Sequence, residues 1–257
     1  MPLAGVEALV AAHVPPEVTL AVSAPAARGL EPTLDLTERL AERGYRAVPH
    51  LAARLVRDDA HLAGVLRRLE AAATRDVFVV AGDSPRPAGP FEDARSLLEG
   101  MAAIGHPFRD IGVAGHPEGH PFLAPDRALE ALGEKAAHAT YVVSNLCFDS
   151  PTIARWVAEV RSRGVALPIY LGMPGPVPLR RLARVAGRIG LGESARFLRR
   201  HTGWTRLLLP GAYRPNRLLT ALAAALADPE LGVAGLHVFT FNEIARTERW
   251  RQSARHI

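Results

Sequence analysis

The feature that most constrains this chain is a rhythm: a short apolar run, a turn rich in glycine or proline, then an amphipathic helix, repeated along most of its length. The runs are apolar at successive positions rather than at alternate ones. Such strands must be covered on both faces, which a parallel sheet achieves with its crossover helices. Strands are predicted at Val18–Ala24, Tyr45–Leu51, Asp76–Ala81, Asp110–Ala114, Thr140–Asn145, Leu167–Leu171 and Gly235–Phe241. Periodicity near 3.6 places helices over Pro32–Arg43, Asp59–Thr74, Phe91–Ile104, Pro125–Ala137, Pro151–Gly164, Pro178–His201 and Arg214–Ala227.

A (β/α)8 TIM barrel takes about 250 residues. This chain has 257, so one α/β domain over residues 1–257 is expected. A doubly wound open sheet would use the same elements. The barrel is favoured by the polar residues that recur just past the strands: Ser23, His50, Asp83, His116, Asn145 and Asn242. In a barrel all C-terminal strand ends open at one mouth, so these groups would converge.

Charge and cysteine content narrow the partners. The net charge is +5, from 31 basic and 26 acidic residues, and Lys135 is the only lysine. The arginines are interleaved with apolar residues, as in Leu179–Arg184 and Arg196–His201, which suits a solvated outer face better than a nucleic-acid footprint. Cys147 is alone, so neither an intrachain disulfide nor a cysteine-built metal site is expected, and its apolar surroundings mark a buried thiol. No apolar stretch of about 18 residues occurs, and the N-terminus has no signal pattern. A cytoplasmic protein without a membrane partner is expected.

The segment Ile111–Pro121 reads IGVAGHPEGHP. Two histidines four apart around Glu118 resemble a zinc pair, but helical HExxH geometry is barred by Pro117 and Pro121, and no third ligand is close. No metal is expected. His116 and His120 can instead donate to phosphate, hydroxyl or carbonyl oxygens, or be satisfied by loop carbonyls. Asp83, in VFVVAGDSP, can accept from ring N–H groups of a ligand, or it can cap a turn, since Gly-Asp-Ser-Pro is also turn chemistry. His50 alone reads as a core residue. Lys135 alone reads as a helix-end cation, favoured there by the helix dipole.

Together these pieces resemble the methylenetetrahydrofolate reductase family. VPHLAAR is similar to its Pro-His-Leu-Thr-Cys motif and VFVVAGDSPRP to its strand ending in Arg-Gly-Asp-Xaa-Pro. IGVAGHPEGHP is similar to its Tyr-Pro-Glu-Gly-His-Pro block, KAAHATYVVSNLCFD to its lysine-to-strand segment, and GLHVFTFNE to its last strand. The five occur in family order from Val18 to Glu243.

The resemblance implies a (β/α)8 barrel that binds FAD and reduces 5,10-methylenetetrahydrofolate to 5-methyltetrahydrofolate with NAD(P)H. It implies flavin contacts at Ser23, His50, Gly82, Asp83, His116, His120 and Lys135. Asp83 also falls where the family meets the pterin, and Asn145 stands where a pterin-binding glutamine would be.

The resemblance has gaps. The family's opening strand, Phe-Glu-Phe-Phe-Pro-Pro, and its acidic glutamate have no counterpart, and MPLAGVEALVAAHVPPEV looks like the helix after it. N-terminal closure is therefore expected to be incomplete or atypical. Glu7 is a poor replacement for that glutamate, whereas Glu118 or His116 could protonate the leaving nitrogen. Ala81 replaces the arginine before Gly82, and His116 replaces a tyrosine. Two alternatives stay open. One is a folate-binding methyl-transfer or demethylation protein, or a reductase-like subunit needing a second chain, with FAD lost; a homo-oligomer is equally open. The other is an unrelated lyase or aldolase using Lys135 or the histidine pair.

Overall fold

The computed structural model describes residues 1–120, 122–177 and 215–254. The helix expected at Pro178–His201 and the basic segments Leu179–Arg184 and Arg196–His201 lie outside them. Contacts divide the chain into two units, residues 1–114 with 134–141, and residues 115–133 with 142–257.

The first unit opens on a helix, α1 (Val6–His13), followed by β1 (Leu20–Val22), α2 (Glu31–Glu42), β2 (Ala47–Ala52), α3 (Asp59–Ala71), β3 (Asp76–Val80), α4 (Ala94–Ile104) and β4 (Asp110–Gly115). Strand pairs β1–β2, β2–β3 and β3–β4 are all parallel. The second unit carries most of α5 (Pro125–Ala136), then β5 (Tyr141–Ser144), α6 (Ser150–Ser162), β6 (Ile169–Pro174), α7 (Pro215–Ala227), β7 (Val233–Phe239) and α8 (Ile244–Ala254). There β5–β6 and β6–β7 are parallel. Strand order follows the sequence from β1 to β7 without reversal. A doubly wound sheet turns back about a switch point, so that alternative is excluded.

Local chemistry explains the boundaries. Asp58 caps α3 by accepting from the His61 amide, and Asp149 caps α6 by accepting from the Thr152 amide. Asp93 and Ser96 form a reciprocal capping box that starts α4 three residues later than expected from Phe91, because the box takes the position before Ala94. Each such cap is worth about 1 kcal/mol. The first strand is shorter than Val18–Ala24 because hydrogen-bonded pairing with β2 covers only Leu20 to Val22. The C-terminal helix α8 carries too few apolar residues to show a stripe, and periodicity does not reveal it.

Leu34, Leu51, Leu62, Leu69, Leu97 and Met101 fill the core of the first unit, and Ile153, Val157, Ile169 and Leu171 that of the second. The N-terminal helix is tied down by charge and by hydrogen bonds. Glu7 accepts from Arg39 at 2.8 Å and Arg43 at 2.7 Å, both on or beside α2. The Tyr45 hydroxyl donates to the Val14 carbonyl at 3.0 Å. Arg68 of α3 reaches Glu31, Asp35 and Glu38 of α2, a network rather than an isolated surface pair.

The N-terminal strand ends of the first unit hold a second polar group. Asp76 opposes Asp110 in register and accepts from the Tyr141 hydroxyl at 2.8 Å. Burial, reinforced by Asp110, raises its pKa to about 6, while Tyr141 and Arg46 oppose the rise. The native carboxyl therefore holds its proton more tightly than the unfolded one. Stability from this group is full below about pH 4 and is lost as pH rises to about 6. Asp76→Asn, which keeps the acceptor for Tyr141, should raise Tm near neutral pH and leave it unchanged near pH 4 by calorimetry.

Candidate functional site

The chemistry-bearing residues sit at or just past the C-terminal strand ends. Ser23 follows β1; its carbonyl accepts from Thr33 at 3.1 Å, and among the described residues its hydroxyl has no partner. His50 lies inside β2, two residues before its end, with its ring 4.8 Å from that of Phe78 on β3. It is half-buried and packs as a wall as well as offering ring nitrogens.

The loop after β3 is built around Gly82. Its φ is +89°, and a Cβ there would approach that of Ala52 to 2.9 Å, so both conformation and space require glycine. The bend leaves Asp83 exposed. Among the described residues its carboxylate accepts no hydrogen bond and joins no ion pair. The capping reading of Asp83 fails here: nearby turn stabilisation comes from Ser84, whose hydroxyl donates to the Arg86 carbonyl at 2.6 Å. An unengaged carboxylate on a pinned bend is an available acceptor.

Lys135 is more than a helix-end cation. Its ammonium reaches from the last turn of α5 to donate to the Ala114 carbonyl, near the end of β4, at 3.0 Å. Burial lowers its pKa to about 8, with Asp93 opposing the fall. Among the described residues no carboxylate lies within ion-pair range of it.

In the second unit, the loop after β4 brings the His116 and His120 rings to 4.7 Å, edge to face. The Phe122 amide donates to Nδ1 of His120 at 3.2 Å, so a neutral His120 carries its proton on Nε2. Glu118 lies against Cys147, accepting from its thiol; burial first, and then this carboxylate, push the Cys147 thiol well above its ordinary value. That thiol is buried and unsuited to nucleophilic attack. The Asn145 carboxamide oxygen accepts from the Leu146 amide at 2.8 Å, leaving its NH2 to donate. Among the described residues no group of three or more histidine, cysteine or carboxylate side chains is gathered to hold a metal.

The contact between Glu118 and Cys147, the reach of Lys135 and the role of Arg54 beside the β3 loop are not visible in the motifs. Glu7 is removed as an acid: hydrogen bonds from Arg39, then Arg43, hold its carboxyl below the usual range.

The first unit supplies a hydroxyl, an imidazole, a buried ammonium and a side-chain-free bend, and the second unit two imidazoles; each is a type of group that suits an anionic cofactor rich in hydroxyl and carbonyl oxygens. Parallel strands in sequence order, with polar groups at their C-terminal ends, define a (β/α)-barrel-class protein, here with seven strands among the described residues. A profile of the methylenetetrahydrofolate reductase family matches residues 8–188, more than half of the chain, and the chain belongs to that family. Methylenetetrahydrofolate reductase 2 of Saccharomyces cerevisiae is 29% identical over 131 residues, 46% of this chain and 21% of that protein. Methylenetetrahydrofolate reductase 1 of Schizosaccharomyces pombe is 35% identical over 71 residues, 27% of this chain and 11% of that protein. The match thus spans about a fifth or less of these relatives. Among the described residues no helix is long and apolar enough to cross a membrane.

Gly82→Ala should cost about 1–3 kcal/mol through strain at positive φ. Urea unfolding that shows no loss would remove the steric case for this glycine.

Proposed function

We propose that the chain is a flavin-dependent reductase that converts 5,10-methylenetetrahydrofolate to 5-methyltetrahydrofolate with NAD(P)H as reductant. The observation that carries this reading is Asp83: in a chain of this family, a carboxylate at the end of β3 is presented outward on a bend that only glycine permits. Residues 1–257 are assigned to one catalytic domain acting in the cytoplasm; the family match over residues 8–188, which enters both units, supports the single domain.

Bound FAD would carry electrons between the nicotinamide and the folate. The side chains of Ser23, His50, His116, His120 and Lys135, with the backbone at Gly82, are the groups assigned to hold it. Lys135 offers a charge to a phosphate or other anionic portion, and His120 offers Nε2–H to a carbonyl or hydroxyl oxygen. Asp83 accepts from pterin N–H groups, and Asn145 donates its carboxamide NH2 to the pterin. Glu118 is assigned the proton delivered to the nitrogen released when the folate ring opens, in place of the acid that Glu7 cannot supply. General acid catalysis of this kind is worth about 10²–10⁴ in rate.

A second reading, a subunit completed by another chain, is favoured by one feature. Among the described residues β1 ends the strand order, and Leu3 and Leu9 of the N-terminal segment are 40% and 43% exposed. Co-purification of a second polypeptide required for turnover would select it.

The protein as purified, or after titration with FAD, should show visible flavin absorbance and NAD(P)H oxidation stimulated by menadione; failure to take up flavin refutes the proposal. Asp83→Asn should leave folding intact and slow folate turnover at least about 100-fold, and an unchanged rate would remove Asp83 from the mechanism. Because the Lys135 ammonium loses its proton near pH 8, affinity for FAD should weaken as pH rises through that value. Lys135→Met should flatten this dependence in a fluorescence titration.

A further inference from the structure

Arg54 lies in a single 3-10 turn, Ala53–Leu55, directly after β2, and four contacts join it to the loop that carries Asp83. Its amide donates to the Ala81 carbonyl at 3.0 Å, and its carbonyl accepts from the Ala88 amide at 3.0 Å. Its Nη2 donates to the Pro85 carbonyl at 3.1 Å and its Nη1 to the Glu92 carbonyl at 3.4 Å. The residue thus grips the loop at its start, middle and end. The remaining donor, Nε, is buried and has no partner among the described residues. Buried polar atoms are almost always satisfied, so a guanidinium kept here with an orphaned N–H is held by what its other donors do. All its acceptors are backbone carbonyls; among the described residues no carboxylate pairs with it.

We propose that the Arg54 side chain is a positioning residue for Asp83, fixing the 83–92 segment through Pro85 and Glu92 so that the carboxylate meets the folate. It acts in folate turnover but not in flavin reduction, because the backbone bond from the Arg54 amide to Ala81, next to Gly82, does not depend on the side chain. The inference rests on the reductase reading for its kinetic consequence but not for its structural one. Two planar, diverging donors bridge separate carbonyls, which a lysine ammonium on one stem cannot reproduce.

The test uses the full-length holoprotein and the variants Arg54→Met, Arg54→Lys and Asp83→Asn. Arg54→Met should lower folate kcat/KM about 10- to 100-fold and leave the NAD(P)H–menadione rate unchanged. Combined with Asp83→Asn it should add nothing further, because both act through one group. Arg54→Lys should rescue little. Independently of activity, amide hydrogen exchange should accelerate in residues 83–92 of Arg54→Met, with the rest of the molecule unaltered. Additive losses with Asp83→Asn, full rescue by lysine, or unchanged exchange in 83–92 would each overturn the proposal. If the unsubstituted protein reduces no folate, the reductase reading fails, while the exchange measurement still decides whether Arg54 sets the bend. Should Arg54→Met fail to fold, Arg54→Gln gives the same exchange readout.

Discussion

Val77 and Val79 have no exposed surface, Phe78 is only 8% exposed, and helices flank the strand to which they belong. A parallel strand covered on both faces has no lateral room for unpaired polar side chains, because each would lose its water without a partner. Polar groups are therefore pushed to strand ends, and each end takes a different kind. At the N-terminal end of β3, Asp76 is satisfied by Tyr141 and serves stability. Just past the other end, Asp83 is left unengaged. The same division appears in the second unit, where Ser144, wholly buried in β5, is absorbed by the Gly172 amide, while Asn145 one residue later keeps its NH2 available.

This division explains what could be read in advance. Continuous apolar runs locate buried strands, so all seven were legible, and so were the residues just beyond them. Boundaries moved where a specific hydrogen bond took precedence over hydrophobicity, as the Asp93–Ser96 box did at α4. The helix α8 was missed because its buried residues include Thr247 and Glu248, which carry no apolar signal. Arg54 read only as the tail of VPHLAAR. A long side chain reveals its destination only when the fold brings another segment within reach, and no periodicity records that. Lys135 looked ordinary for the same reason: its position on α5 was predictable, but the burial of its ammonium against Ala114 was not.

The N-terminal helix shows how position alone can mislead about chemistry. Glu7 is acidic and lies early in the chain, where the family places its acid. Yet two arginines draw it onto the outer surface of α2, and its low proton affinity suits a stabilising anion. Glu118, by contrast, rests against the Cys147 thiol and accepts from it. The two carboxylates thus sit in different company, one between guanidinium groups and one against a thiol.

One further consequence follows from the chain's near-exclusive use of arginine. Acylating and cross-linking reagents that attack primary amines ignore guanidinium groups, so these 257 residues offer them one side-chain address, Lys135. That amine is covered by its contact with Ala114. Labelling at that single ε-amine would report, one event per molecule, each time the last turn of α5 parts from β4, turning an accident of composition into a built-in gauge of local opening.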